Sequence, residues 1–176
     1  MQTFINPLKE NWAEIIQRPQ IDDAELKHIV ADILLAVKQN GDTAIKKYCL
    51  QFGKVLLDDL KVSETEIDEA VLLVEEELKN AIQIAKQNIE KFHLAQREVV
   101  KKIETSKGVR CWRKSVPIEK VGLYIPGGTA PLFSTLLMLG IPSVAAGCME
   151  IVVCTPSDAN GKVNPVILYV ARLLGL

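Results

Sequence analysis

The hydrophobic periodicity of this chain changes near Gly108, and the change limits the folds that the chain can adopt. Before about residue 105, apolar residues recur every three to four positions, which is the spacing of amphipathic helices. After Gly108 the apolar residues form short runs that are bounded by glycine and proline, which favours strands alternating with helices. We therefore predict an α/β protein with a helical N-terminal region, residues 1–107, and the start of a parallel-sheet domain, residues 108–176.

Local start and stop signals divide the N-terminal region into separate helices. Asp22-Asp23 precede an amphipathic stretch that ends at Asn40-Gly41, where a left-handed residue can stop a helix. Asp42 can cap a second helix, and the sequence Ser63-Glu-Thr-Glu66 is a capping box that opens a third. From residue 67 to residue 96 the helical spacing continues, which fits either one long helix or two in series.

The C-terminal part has the alternating order that builds parallel sheets. Apolar runs predict strands at 109–116, 121–125 and 150–154, and helices are predicted to begin at Pro131 and at Asn164-Pro165. We expect the last two strands to be parallel, because strand–helix–strand order is typical of a crossover unit. Parallel sheets need further strands and helices on both faces. The repeat is interrupted where the chain stops, so we interpret the chain as a fragment.

Composition and charge exclude several classes of protein. Hydrophobic residues make up 48% and charged residues 24% of the chain, as in ordinary globular domains. The net charge of −1 leaves no basic excess for nucleic acid. We find no bilayer-spanning run and no signal peptide, so we expect a cytoplasmic protein without a membrane partner. The four cysteines are widely spread and contain no CxxC pair, which argues against a disulfide framework.

The loop Tyr124–Pro131 is the strongest candidate for a binding site. It follows a predicted strand and leads into a helix, and its glycines let a ligand approach the backbone closely. From the residues alone, a tight strand-to-helix connection is as good an explanation as a cofactor loop. For Tyr124 itself, the last residues of a buried strand usually pack in the core, so the residues alone favour packing over ligand contact.

No complete catalytic or metal site is found. His28 and His93 lie in separate predicted helices, without further ligands at metal-binding spacing. Cys111 and Cys148 invite a nucleophilic role, but neither has a neighbouring His or Lys that would lower its pKa. We therefore predict no catalytic residue and no metal ligand in this chain.

Several segments carry a specific family resemblance. Residues 121–139, with the block Tyr-Ile-Pro-Gly-Gly, closely resemble histidinol dehydrogenase. The match continues through residues 141–148 and 152–156, and upstream it includes 108–111 and 88–93. The resemblance covers essentially the whole chain, which is similar to the N-terminal portion of that family.

The resemblance implies a cytoplasmic homodimer that oxidises L-histidinol to L-histidine through L-histidinaldehyde, with two NAD molecules and one zinc ion. It also implies an aldehyde dehydrogenase-like fold with incomplete Rossmann-like domains. Tyr124 matches the NAD-contacting tyrosine of the family, and Pro126 and Gly127 belong to the same loop. The Glu–His pair, the zinc ligands and the other NAD contacts of the family have no counterpart here. We therefore expect this portion alone to be inactive and to hold no cofactor tightly.

Two alternatives stay open. One is another reductase with similar N-terminal helices, such as a glutamyl phosphate reductase-like enzyme, although the Tyr-Ile-Pro-Gly-Gly block argues against it. The other is a non-catalytic dimerisation or ligand-binding module. This alternative is consistent with the absence of a complete set of catalytic residues.

Overall fold

The computed structural model describes residues 3–18, 24–127 and 130–176. Asp22-Asp23, which precede the predicted amphipathic stretch, and the loop residues Gly128 and Thr129 lie outside the described residues. The chain divides after Ile45 into two compact units.

The first unit consists of short and long helices. A 3₁₀ turn at Lys9–Asn11 leads into helix α1, Trp12–Ile15, and the long helix α2 spans Ala24–Asn40. Gly41 follows with a φ of 55°, so the predicted stop signal is confirmed. Helix α3, Asp42–Tyr48, contains the division between the units. Most large apolar residues of α2 are exposed: Leu26, Ile29, Val30, Leu34 and Leu35.

The second unit begins within α3 and continues with a π-helical turn, Cys49–Gly53, and two further helices. Helix α4 spans Glu64–Leu73, and the backbone N–H of Glu66 donates to Ser63 Oγ at 3.1 Å, so the predicted cap is confirmed. Helix α5 spans Glu76–Leu94. The apolar stretch after residue 67 is therefore two helices in series, because Val74 is extended and interrupts the first one.

A β-hairpin follows α5, and it corrects two predictions. Strand β1, Ile103–Ser106, pairs antiparallel with β2, Val109–Cys111, around Gly108, which has a φ of 84°. The helical prediction up to residue 105 is wrong here, because a left-handed glycine allows β1 to pair with the strand next to it. The strand predicted over 109–116 ends at Cys111. The domain division at residue 107 stays a prediction.

The predicted parallel strands are confirmed. Strand β3, Lys120–Tyr124, pairs in parallel with β4, Glu150–Cys154. They are connected through helix α6, Phe133–Ala146, which begins two residues after Pro131 and continues through Pro142. Helix α7, Pro165–Leu174, follows β4.

Helix α7 has the predicted signal at its start. Asn164 Oδ1 accepts a hydrogen bond from the backbone N–H of Val166 at 2.9 Å. Gly175 ends the helix in a left-handed conformation. At the solvent side of the helix, Arg172 donates to Glu64 of α4 at 2.8 Å and also to Asp68, which ties α7 to α4.

Strand alternation decides which face of the parallel pair is covered. Leu123 points into a core that α5, α6 and α7 complete, with Ile82, Ile125, Leu136, Leu137, Ile141, Ile167 and Val170. The alternating residues of β3 and β4, Gly122 and Val152 among them, are exposed. Among the described residues, the sheet is thus covered on one face only. No described helix is long and apolar enough to cross a membrane.

Candidate functional site

The two parallel strands end at the same edge of the sheet. Tyr124 of β3 lies opposite Cys154 of β4. One residue further, the backbone N–H of Ile125 donates to the carbonyl of Cys154 at 2.8 Å. The two loops that follow therefore start side by side, at the carboxyl ends of parallel strands, where open α/β sheets bind their ligands.

A cleft of about 510 Å³ lies at this edge. The loop after β3 contributes Pro126 and Gly127, the loop after β4 contributes Pro156 and Asp158, and α4 contributes Glu66. Small-molecule sites typically measure about 300–1,000 Å³ and combine apolar walls with a few polar groups. The cleft therefore has a suitable size for part of a cofactor.

Gly127 allows the two loops to touch. A Cβ atom at position 127 would lie 2.6 Å from Cγ of Pro156, well inside van der Waals contact. Because the neighbour is a stiff pyrrolidine ring, one of the loops would have to move to admit a side chain. The glycine is thus required by packing within the site, whether or not a ligand also uses the free space.

We expect Gly127→Ala to lower the free energy of unfolding by about 1–3 kcal/mol, as overpacking does. Gly122→Ala is the matched control, because a Cβ there meets nothing within 4 Å. Urea unfolding of both variants checks the prediction. Equal stability of the two variants would contradict the close approach of the loops.

A tight turn shapes the wall that follows β4. Asp158 Oδ1 accepts hydrogen bonds from the backbone N–H groups of Lys162 and Asn160, both at 2.8 Å. These bonds, the one from Lys162 first, hold the pKa of the Asp158 carboxyl below its ordinary value. Because the pKa of Asp158 is lowered in the folded chain, its carboxylate stabilises the turn fully at pH values above the ordinary pKa of an aspartate. This stabilisation is lost as the pH falls through the lowered pKa of Asp158. Asp158 is a fixed acceptor here and not a proton carrier.

The charges in the cleft are mainly negative. Glu66, Glu69 and Asp158 supply three carboxylates, and Lys162 is the cation among the described lining residues. Lys162 Nζ lies 3.5 Å from Glu66, so its charge is partly offset. Carboxylates accept hydrogen bonds from hydroxyl groups, as they do from the ribose of dinucleotides, and repel phosphates. The cleft is therefore better suited to a nucleoside than to a phosphate group.

The predicted site residues are not all in one place. Pro126 and Gly127 line the cleft, whereas Tyr124 is not among its described lining residues. The Tyr124 side chain is 63% exposed on the uncovered face of the sheet. The interpretation of Tyr124 as a core residue is wrong, because strand alternation directs Leu123 and not Tyr124 into the core.

Among the described residues, no group of three or more His, Cys, Asp or Glu side chains is arranged so that it could hold a metal ion. The four cysteines are free, and Cys111 and Cys154 are exposed. Sequence reasoning did not single out Pro156, Asp158 or Glu66. For the first two, a signal was present: Thr155-Pro156 follows a predicted parallel strand, just as Pro126 does.

Known proteins match this chain along its length. The sequence model of the histidinol dehydrogenase family matches residues 16–176. A histidinol dehydrogenase of Bacteroides thetaiotaomicron is 54% identical over 176 residues, which is 100% of this chain and 41% of that protein. One of Mannheimia succiniciproducens is 47% identical over 179 residues, again covering 100% and 41%.

A solved structure agrees with the sequence relatives. The crystal structure of histidinol dehydrogenase from Elizabethkingia anophelis superimposes with a TM-score of 0.94 at 50% identity. The superposition covers 100% of this chain and 41% of the other. The chain thus spans about two fifths of the length of its relatives, and it belongs to the histidinol dehydrogenase family.

Proposed function

We propose that this chain is the N-terminal portion of an enzyme that oxidises L-histidinol to L-histidine through L-histidinaldehyde, with NAD as the oxidant. Family membership supports the reaction. The observation that carries the proposal is the cleft at the carboxyl edge of β3 and β4, since dinucleotides bind at such edges. A parallel pair joined by a helix is also the unit from which Rossmann-like sheets are built, as the aldehyde dehydrogenase-like fold requires.

The role of this portion is to bind and orient NAD. Pro126 and Gly127 offer a wall without bulky side chains, and Glu66 and Asp158 supply acceptors for ribose hydroxyls. Tyr124, on the other side of the same edge, offers an exposed aromatic ring. We propose that the dinucleotide crosses the sheet edge between the cleft and this ring.

Zinc does not fit the described residues, because no set of ligands comes together among them. In our proposal the zinc ligands and the proton-transferring Glu–His pair belong to the remainder of the full-length enzyme. We also propose that the full-length enzyme is cytoplasmic and assembles as a homodimer, and the family resemblance supports both statements. The family match removes the glutamyl phosphate reductase-like alternative.

Replacing Tyr124 by alanine in the full-length enzyme tests the proposal. Loss of a contact of roughly 1–2 kcal/mol would raise the NAD dissociation constant about five- to thirty-fold. Histidinol affinity should change little. In the isolated chain, the same substitution should leave the melting temperature unchanged, since the ring is exposed there and not packed in the core. Isothermal titration and calorimetry measure these quantities.

Val152→Ala is the matched control, because Val152 is exposed on the same face of the sheet. It should leave NAD affinity unaltered. Tyr124→Phe separates the contribution of the ring from that of the hydroxyl group. An NAD affinity that survives Tyr124→Ala intact would remove Tyr124 from the proposed site.

The second candidate is the non-catalytic dimerisation or ligand-binding module that the sequence analysis left open. It predicts that the full-length protein binds NAD without oxidising histidinol. Steady-state assays of the full-length protein distinguish the two.

A further inference from the structure

The end of the dinucleotide that lies in the cleft follows from the proposed function, on which this inference rests. The proposed function assigns the zinc and the proton-transferring groups to the remainder of the full-length enzyme. A base has to lie within hydrogen-bond reach of the reacting atoms, so the nicotinamide end lies beside that remainder. The adenosine end is then the one that reaches the cleft lined by Pro126, Gly127 and Pro156.

NAD and NADP differ only at the adenosine end, where NADP carries a phosphate on the 2′-oxygen of the ribose. Dinucleotide-binding sheets commonly place a carboxylate on the free 2′-hydroxyl and a cation on the 2′-phosphate. The cleft contains both kinds of group, Glu66 on α4 and Lys162 in the turn after β4. The choice between the two dinucleotides therefore depends on which of these charges is available.

Lys162 is held by two carboxylates. Its backbone N–H donates to Asp158 Oδ1 at 2.8 Å, which fixes its backbone in the turn. Its Nζ atom lies 3.5 Å from Glu66 Oε2. This distance is longer than the roughly 2.7–2.9 Å of a charge-assisted hydrogen bond, so the contact is an ion pair without a close hydrogen bond. Neutralising Glu66 would therefore release the ammonium group for another anion.

Glu66 is the better shielded partner of this pair. Its side chain is 21% exposed, whereas that of Lys162 is 63% exposed. A charge that is shielded from water acts more strongly on its neighbours, because the effective dielectric constant around it is lower. A 2′-phosphate beside Lys162 would also lie near the carboxylates of Glu66 and Asp158, so repulsion would outweigh the attraction of the single lysine.

We propose that the ion pair of Glu66 and Lys162 selects NAD against NADP. Glu66 accepts a hydrogen bond from the adenosine 2′-hydroxyl of NAD. The same carboxylate holds the ammonium group of Lys162, which would otherwise bind the 2′-phosphate of NADP. The proposal deepens the proposed function, which names hydroxyl acceptors in the cleft but no group that excludes a competing dinucleotide.

Neutralising Glu66 in the full-length enzyme tests the proposal, with the dissociation constants of NAD and NADP measured by isothermal titration. The wild-type enzyme should bind NAD at least about tenfold more tightly than NADP. Glu66→Gln keeps an amide oxygen that accepts from the hydroxyl, but it removes the repulsion and releases Lys162. It should bind NADP at least about tenfold more tightly than the wild type does, and NAD within about fivefold of the wild type.

The double variant Glu66→Gln with Lys162→Ala separates the release of the lysine from the loss of repulsion. Alanine at position 162 keeps the backbone N–H that donates to Asp158. The double variant should lose most of the gain in NADP affinity, because the 2′-phosphate no longer meets a cation. Glu77→Gln is the matched control, since it removes one carboxylate from α5 outside the described lining of the cleft. It should bind both dinucleotides as the wild type does.

Three results would each overturn the role of the ion pair while the proposed function stands. They are NADP binding as tight as NAD binding in the wild type, no gain in NADP affinity in Glu66→Gln, and a gain that survives Lys162→Ala. A wild-type enzyme that binds neither dinucleotide would instead overturn the proposed function, and the role of the ion pair with it.

Discussion

The isolated 176-residue chain is expected to form no NADH from L-histidinol and NAD. A general base supplies about 10²–10⁴-fold in rate, and a metal ion stabilises the transition state by several kcal/mol more. The chain has two histidines, His28 in α2 and His93 near the end of α5, and its described residues form no metal cluster. Absorbance at the NADH band, followed over hours at high protein concentration, measures the activity.

A full-length relative assayed in parallel shows that the assay works. The chain must also be shown to be folded, by circular dichroism and cooperative unfolding. Metal analysis should find no stoichiometric zinc. Histidinol-dependent NADH formation that copurifies with the chain would contradict the proposed division of labour between this portion and the remainder of the enzyme.

The second large effect concerns the core behind the cleft. Leu136 of α6 is fully buried, at 0% exposure, and packs in the cluster that supports β3. Leu136→Ala removes buried methyl groups and leaves a cavity, which typically costs about 2–5 kcal/mol. Because domains of this kind are stable by only about 5–15 kcal/mol, we expect a large shift of the urea unfolding midpoint.

Met138→Ala is the matched control on the same helix, since Met138 is 61% exposed. Its effect on the free energy of unfolding should stay within about 0.5 kcal/mol. If the two variants were equally stable, α6 would not cover the sheet through the face that carries Leu136.

Patterns that act over short distances in the sequence predicted the fold well. The caps at Ser63 and Asn164 are formed as their side chains indicate, because a cap needs only its own helix. The parallel pair β3 and β4 follows from two apolar runs on either side of a helix. Strand β1 was not predicted, because four residues are too few to distinguish a strand period from a helical one.

The sequence predicted only one part of the candidate site. The loop at Pro126 and Gly127 follows a predicted strand, so general rules for parallel sheets point to it. The contribution of α4 to the wall of the cleft was not predicted. The position of α4 depends on contacts such as that between Arg172 and Glu64, which are 108 positions apart. No local pattern encodes which helix will pack beside a loop. The assignment of Tyr124 to the site rests on the family resemblance and stays a prediction, since its position in the strand alone suggested the core.

The helical crossover between β3 and β4 also sets the order in which the site can form during synthesis. Pro126 leaves the ribosome about 30 residues before Pro156, which corresponds to roughly 2–6 seconds at about 5–20 residues per second. Strands β1 and β2, which are neighbours in sequence, can pair within about 1–10 microseconds of emerging. Strand β3 must instead wait for α6 and β4, with Leu123 exposed to solvent in the meantime. During those seconds the apolar residues of β3 are exposed, and such exposure makes a nascent chain prone to aggregation.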